Sequence, residues 1–406
     1  MNLSFEDKLI LAGSKLHFTE NDIRRIEDLI PSISNWNSFT DMAIQNSVGP
    51  LIHKSFSFIK NSNLIPEASL SRLKQTYYRT LSRNMILYEY FRNAAEAFTK
   101  EGVSVIALKG IFLAETIYKD IGLRQMTDVD LLVKKEDIEK CRKLLLDMGY
   151  KYTELDKSNF IKGLDLSKHL PPLVLNGVSF ELHTKIHLNN PGFSVNTDDY
   201  WKRSQEVALS NVSVHSLSIE DLIQHLCLHL NDHFNEGKPQ LYFFVDISEV
   251  IKKYYSKINW DLLLESCNLY KCGSIVFKYL LLIEKYFDIK IPDNILQRNG
   301  KTDVGIDIQT EKLFFYYLQH FRKNAPLGIV SRNIEAFNNT RGFKNKIIYL
   351  LNDTFPSRTY MYRLYGIKKK YLLFWYYLIR LKTGMHLLLK QFAKLFTSSE
   401  KSRKKN

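Results

Sequence analysis

Asp128 and Asp130 stand one residue apart at the head of an apolar run, Thr127-Asp-Val-Asp-Leu-Leu-Val133. The run reads as a buried strand, and side chains alternate across a strand, so residues i and i+2 share a face. Both carboxylates then point the same way, ~7 Å apart along the backbone. Two like charges held that close repel unless a cation lies between them. Mg²⁺ takes carboxylate oxygens together with the phosphates of a nucleotide. The chemistry such a pair serves is a divalent-metal site for phosphoryl or nucleotidyl transfer. The competing reading is two solvated acids on a surface strand, a pattern that short motifs match by chance.

The elements ahead of the pair favour the first reading. Val103-Ser-Val-Ile-Ala-Leu108 reads as a strand and ends in Lys109-Gly110. A helical stretch from Ile111 to Tyr118 follows, and then the Asp strand. Glycine at the opening of a helix lets backbone N–H groups approach a phosphate, and the helix N-terminus favours the anion. Lys109 would add a point charge there. Arg124 precedes the Asp strand and reads equally as a phosphate contact or as a structural partner of a carboxylate.

Together, Ala107-Leu-Lys-Gly110, Arg124 and Thr127 to Val133 resemble the uncharacterised nucleotidyltransferase family of the DNA polymerase β-like superfamily. The resemblance implies a Gly turn, a helix, an Asp-x-Asp strand and a third carboxylate on a later strand. Glu181, in Val178-Ser-Phe-Glu-Leu-His183, is the candidate for that third group. Asn176-Gly177 just before it is a type I′ hairpin signal that pairs Leu173 to Leu175 with Val178 to His183. Leu217 to His229, Asp246 and Trp260-Asp261 also look family-like. Many superfamily members carry Gly-Gly or Gly-Ser at the turn, and the gap from Gly110 to Asp128 is longer than the common pattern. The Lys-Gly form is similar to the uncharacterised branch itself.

What the resemblance implies is a metal-dependent nucleotidyltransferase. Asp128, Asp130 and Glu181 would hold Mg²⁺ or Mn²⁺, and Lys109, Gly110 and Arg124 would bind the nucleotide. An NMP, with AMP expected, would move from an NTP to an unidentified hydroxyl acceptor, and pyrophosphate would leave. Glu181 would share a metal or act as general base. His183 shares the strand face of Glu181, with a metal-shell or acceptor role, and His187 continues that face. His229 and Asp246 are further candidates for acceptor or support roles.

His225, His229 and His233 recur every four residues and share one helix face. Imidazole suits zinc. However, no HExxH is present, and three histidines along one helix span ~12 Å, so core or pocket roles are the stronger expectation. The four cysteines, Cys141, Cys227, Cys267 and Cys272, form no CxxC pair and read as reduced buried thiols. No GxxxxGK, GxGxxG after a strand, GxSxG, or HRD and DFG pair occurs, which disfavours P-loop, Rossmann, hydrolase-elbow and protein-kinase chemistry.

Hydrophobic residues make up 45% and charged residues 25% of the 406 residues, a globular balance with room for two or three domains. The expected fold is α+β, a small mixed β-sheet nucleotidyltransferase core flanked by mainly helical N- and C-terminal regions. The expected division is a helical region 1–100, the core 101–190, a helical domain 191–340 and a basic aromatic tail 341–406. Helices in 1–100 should break near Pro31 and at Asn61 to Pro66, with a well-patterned helix from Leu81 to Lys100. Glu136 to Met148 should form a helix closed by Gly149. The remaining strands are expected within 150–187, with helices from Ser218, an N-cap paired with Asp221, onward.

Charge is uneven. Residues 341–406 hold sixteen Lys and Arg against Asp353 and Glu400, the whole net charge of +14, and residues 1–340 balance. Tyr371 to Phe396 suits an amphipathic helix, and Lys401 to Asn406 a disordered basic end. The tail could lie on an anionic membrane surface, track a nucleic acid, or pack on the core. Packing is the default, and membrane ranks above nucleic acid because the apolar residues are clustered and bulky. The expected location is cytoplasmic, peripheral at the membrane if the tail binds lipid, since the N-terminus carries no secretory signal. A non-catalytic nucleotide-binding or membrane-associated scaffold is the alternative function. An RNA-modifying nucleotidyltransferase is a further one, disfavoured by the balanced charge of 1–340.

Overall fold

A computed structural model of the chain describes residues 3–60, 62–152, 169–187, 193–235, 239–298, 308–320, 370–378 and 381. Residues 1–234 with 238–323 make one unit, and 235–237 with 324–406 a second. The expected amphipathic helix beyond 381, and the basic end, lie outside the described residues.

The N-terminal helices are α1 (Phe5–Gly13), α2 (Glu20–Leu29), α3 (Trp36–Gln45), α4 (Gly49–Phe56) and α5 (Glu67–Lys100). Their starts are written in the sequence. Ser4 with Asp7 and Thr19 with Asp22 form reciprocal capping boxes, and Asn35 caps α3. Pro31 falls in a 3-10 turn, Ile30–Ser32, where the expected break lies. The helix expected from Leu81 begins further back and runs 34 residues. Leu87, Phe91, Ala94, Ala95 and Phe98 form one fully buried stripe of α5, which packs on the sheet.

Among the described residues the sheet has seven strands in the order β3-β4-β5-β2-β1-β7-β6. These are β1 (Val105–Ala107), β2 (Asp128–Val133), β3 (Lys151–Tyr152), β4 (Leu173–Leu175), β5 (Val178–His183), β6 (Gln205–Leu209) and β7 (Val212–Ser216). β2 runs antiparallel to β1 and parallel to β5. Val129 and Leu131 to Val133 are fully buried, as a central strand covered on both faces requires. Between β1 and β2 stand α6 (Lys109–Leu113) and one π-helical turn, Ala114–Tyr118. α7 (Ile138–Asp147) follows β2.

One expectation is corrected. The strands do not end at residue 187, because β6 and β7 form a further hairpin with β7 parallel to β1. Ser210 and Asn211 both take positive φ, 51° and 64°, in its two-residue turn, and Val212 and Val214 alternate inward. That alternation is short, and it is flanked by Thr197–Arg203 (α8) and Ile219–Asn235 (α9), so helical context masks it. Further described helices are α10 (Leu241–Tyr254), α11 (Trp260–Leu269), α12 (Gly273–Tyr286), α13 (Asp293–Arg298) and α14 (Ile308–His320), with a short helical segment at 373–378. Among the described residues, no helix is long and apolar enough to cross a membrane.

The β4–β5 turn has the expected form, with Asn176 at φ 49° and Gly177 at φ 78°. A Cβ added at Gly177 would meet nothing within 4 Å, so a side chain there costs only backbone strain. Gly177→Ala is expected to lower stability by ~1 kcal/mol, read from the midpoint of urea unfolding at unchanged slope.

Candidate active site

The parallel ladder between β2 and β5 sets Asp128 opposite Ser179, Asp130 opposite Glu181 and Leu132 opposite His183. Asp128, Asp130, Glu181 and His183 therefore rise from one face of two adjacent strands. Ligating atoms of Asp130, Glu181 and His183 lie within 4.8 Å of one another. Asp128 stands beside this trio on the same face, at the partly exposed end of β2.

Asp130 is the most heavily partnered carboxylate of the group. Lys109 Nζ donates to its Oδ1 at 2.9 Å, and His183 Nε2 lies 2.8 Å from the same oxygen. His183 Nε2 is also 3.6 Å from Glu181 Oε2. Lys109 reaches Asp130 because the chain turns sharply at the end of β1. The Leu108 N–H still donates to the Asp130 carbonyl, and Lys109 then adopts a left-handed φ of 49°. Gly110 follows, and a side chain there would displace its neighbours. A Cβ would meet Met126 at 2.9 Å and the Arg124 guanidinium closer still.

The electrostatics separate the carboxylates. Burial, with the charges of Asp130 and Glu181, pushes Asp128 up to about 7. Burial would raise Asp130 too, but Lys109 and the His183 hydrogen bond hold it far below the usual carboxylate range. Burial works against ionised Glu181 as well, yet the His183 hydrogen bond keeps it below its ordinary value. Burial disfavours the Lys109 ammonium, while Asp130, Asp128 and Glu181 more than compensate and raise it.

Arg124 and Asp246 meet each other. Arg124 Nη2 and Nε donate to the two Asp246 oxygens at 2.8 and 3.2 Å, and Tyr118 Oη donates to Asp246 at 2.8 Å. Tyr242 lies 5.2 Å from the guanidinium, and the Asn84 amide holds the Arg124 carbonyl at 2.7 Å. The structural role of Arg124, one of its two readings, is thus the one with geometry behind it. Asp246 anchors the segment leading into β2 to α10.

The histidines form a separate line. His225 Nδ1 lies 3.1 Å from His187 Nε2, and His229 and His233 place their Nε2 atoms 3.2 Å apart. His229 packs edge-on to Phe243. Among the described residues these histidines do not converge as a trio of metal ligands. Three residues of the site region were missed from the sequence. His169 Nε2 lies 3.7 Å from Glu181 Oε2 and bridges to His183 across an isolated pair. Tyr118 and Tyr242 complete the Arg124–Asp246 pair. A histidine a few residues before a hairpin was the available hint for His169, while the tyrosines carried no local signal.

The site is thus a set of carboxylates on two neighbouring strands of a mixed sheet set among helices. The chain matches the family described as uncharacterised nucleotidyltransferase over residues 32–288, and it belongs to that family. No curated protein matches it. Among solved structures it is similar to that of the antibiotic-resistance factor ANT(2'')-Ia, determined in solution. The identity is 9% and the TM-score 0.31, with 50% of this chain and 99% of that one covered.

Three outcomes follow from these buried groups. Asp246→Ala leaves the Arg124 charge buried and unpaired, so it should cost ~3 kcal/mol in denaturant unfolding. Replacing both partners, Arg124→Met with Asp246→Leu, should recover much of that loss. Burial, then the charges of His187, Lys109 and His183, hold His225 well below the usual imidazole range despite opposing Asp130. The unfolded chain then binds the extra proton, so this group erodes stability as pH falls below about 6.5 and is neutral above it. His225→Phe should flatten the slope of melting temperature against pH below that value.

Proposed function

We propose that the chain transfers a nucleotidyl group, AMP being the expected one, from an NTP to a hydroxyl acceptor and releases pyrophosphate. The observation that carries this reading is the convergence of Asp130, Glu181 and His183 at one point of the sheet face. Asp128 beside them and buried Lys109 against Asp130 support it.

Two carboxylates and one imidazole offer the hard oxygen donors that Mg²⁺ prefers and a nitrogen that Mn²⁺ also accepts. Asp130 and Glu181, with Asp128 and His183, are the residues that would hold the ion. When bound, it would neutralise phosphate charge and ease deprotonation of the acceptor. Glu181, kept ionised at neutral pH, takes the hydroxyl proton. The acceptor oxygen forms a bond to the α-phosphorus. The bond from that phosphorus to its bridging oxygen breaks, and the electron pair leaves with pyrophosphate. Lys109 supplies fixed positive charge next to the reacting phosphates. The balanced charge of residues 1–340 supports a small or neutral acceptor over a nucleic acid.

The test is calorimetric titration of ATP, GTP, CTP and UTP, with and without Mg²⁺, on the wild type and on Asp128→Asn/Asp130→Asn. One nucleotide should bind in a Mg²⁺-dependent manner, and the folded double variant should bind it at least ~100-fold more weakly. Undiminished Mg²⁺-dependent binding by that variant would refute the metal assignment. A folded wild type that bound none of the four would favour the scaffold reading.

A further inference from the structure

The nucleotidyl chemistry leaves the basic aromatic segment unused. Lys370–Leu372 form a 3-10 turn that continues as α-helix through 373–378. Its outward face is apolar, with Tyr371, Phe374, Trp375 and Leu378 exposed by 69, 67, 61 and 41%. These four follow the i, i+3, i+4, i+7 spacing of a single helical stripe. No charged residue occurs between 371 and 378, while Lys368, Lys369 and Lys370 precede the stripe and Arg380 and Lys382 follow it. Contiguous large apolar groups in water mark a surface meant to be covered.

We infer that this helix docks on an anionic lipid surface, the stripe seated at the boundary of headgroups and acyl chains. Charge complementarity names the occupant. Residues 341–406 carry the entire +14 of the protein, and basic residues beside an apolar face are what negatively charged headgroups attract. A strand-tracking nucleic-acid surface would interleave cations with the aromatics on one face. Here the exposed face is free of charge and includes Leu378. The apolar run from Tyr371 to Ile379 is nine residues, against ~20 for a spanning helix, so the segment lies on the bilayer without crossing it. This inference stands independently of the nucleotidyl reading.

Flotation of the full-length protein with phosphatidylcholine vesicles, neutral or carrying about one third phosphatidylserine, tests it. At least ~tenfold more protein should float with the anionic vesicles, and raised salt should reduce that excess. Phe374→Ser/Leu378→Ser should lower the vesicle-bound fraction by ~tenfold at unchanged melting temperature. If that variant melts early, Lys368→Gln/Lys369→Gln/Lys370→Gln serves in its place, with the preference for anionic vesicles lost. Three results would overturn the inference. They are no flotation with either vesicle, equal flotation of wild type and variants, and capture of single-stranded RNA in place of vesicles.

Discussion

Burying Asp130 between two strands is the constraint around which the site is arranged. A carboxylate taken out of water is costly unless it is paired and hydrogen-bonded. Here one oxygen is met by Lys109 at 2.9 Å and by His183 at 2.8 Å. Each partner comes from a different element, the turn after β1 and the end of β5. The position of Asp130 thus ties together three consecutive members of the sheet. It also explains a local oddity, since Lys109 tolerates a left-handed φ where that turn points its side chain inward. Glu181 is held ionised by the hydrogen bond from His183 against burial and the Asp130 charge, and Asp128, with less compensation, keeps its proton nearer to neutral pH.

A second buried pair does a different job. Arg124 and Asp246 bind in a two-toothed geometry that fixes the chain just before β2. The Arg124 and Met126 side chains lie against Gly110, so the turn and the anchor share one packed contact. Burying two ions this way is weak evidence for stability in itself. Its evident effect is to set where Asp128 and Asp130 begin. The charged groups therefore divide between Asp130, held on the sheet face by Lys109 and His183, and Asp246, which holds Arg124 ahead of β2.

Charge also divides along the chain. Residues 1–340, which include the carboxylates, are electrically balanced, and the excess lies beyond residue 340. A balanced catalytic body does not attract polyanions at long range, and a basic aromatic segment does. The positive excess and the carboxylate cluster thus lie in different stretches of the same chain.

The sequence by itself determined the features set by local periodicity and turn chemistry. Asp-x-Asp puts two carboxylates on one strand face because side chains alternate. Asn176-Gly177 forms its hairpin because both residues tolerate positive φ, and Glu181 and His183 share a face for the same reason as the aspartates. The β6–β7 hairpin was legible in principle from Ser210-Asn211, but its alternation is short and sits between helices. Only the tertiary structure decided which groups meet. Asp130 lies opposite Glu181 because β2 and β5 pair in parallel across a long connection, a register that no local rule specifies. Arg124 finds Asp246 at 122 residues' separation, and His169, bridged to His183, comes within 3.7 Å of Glu181. Long-range pairing follows from how elements pack and bury charge together, and that information is spread over the whole chain.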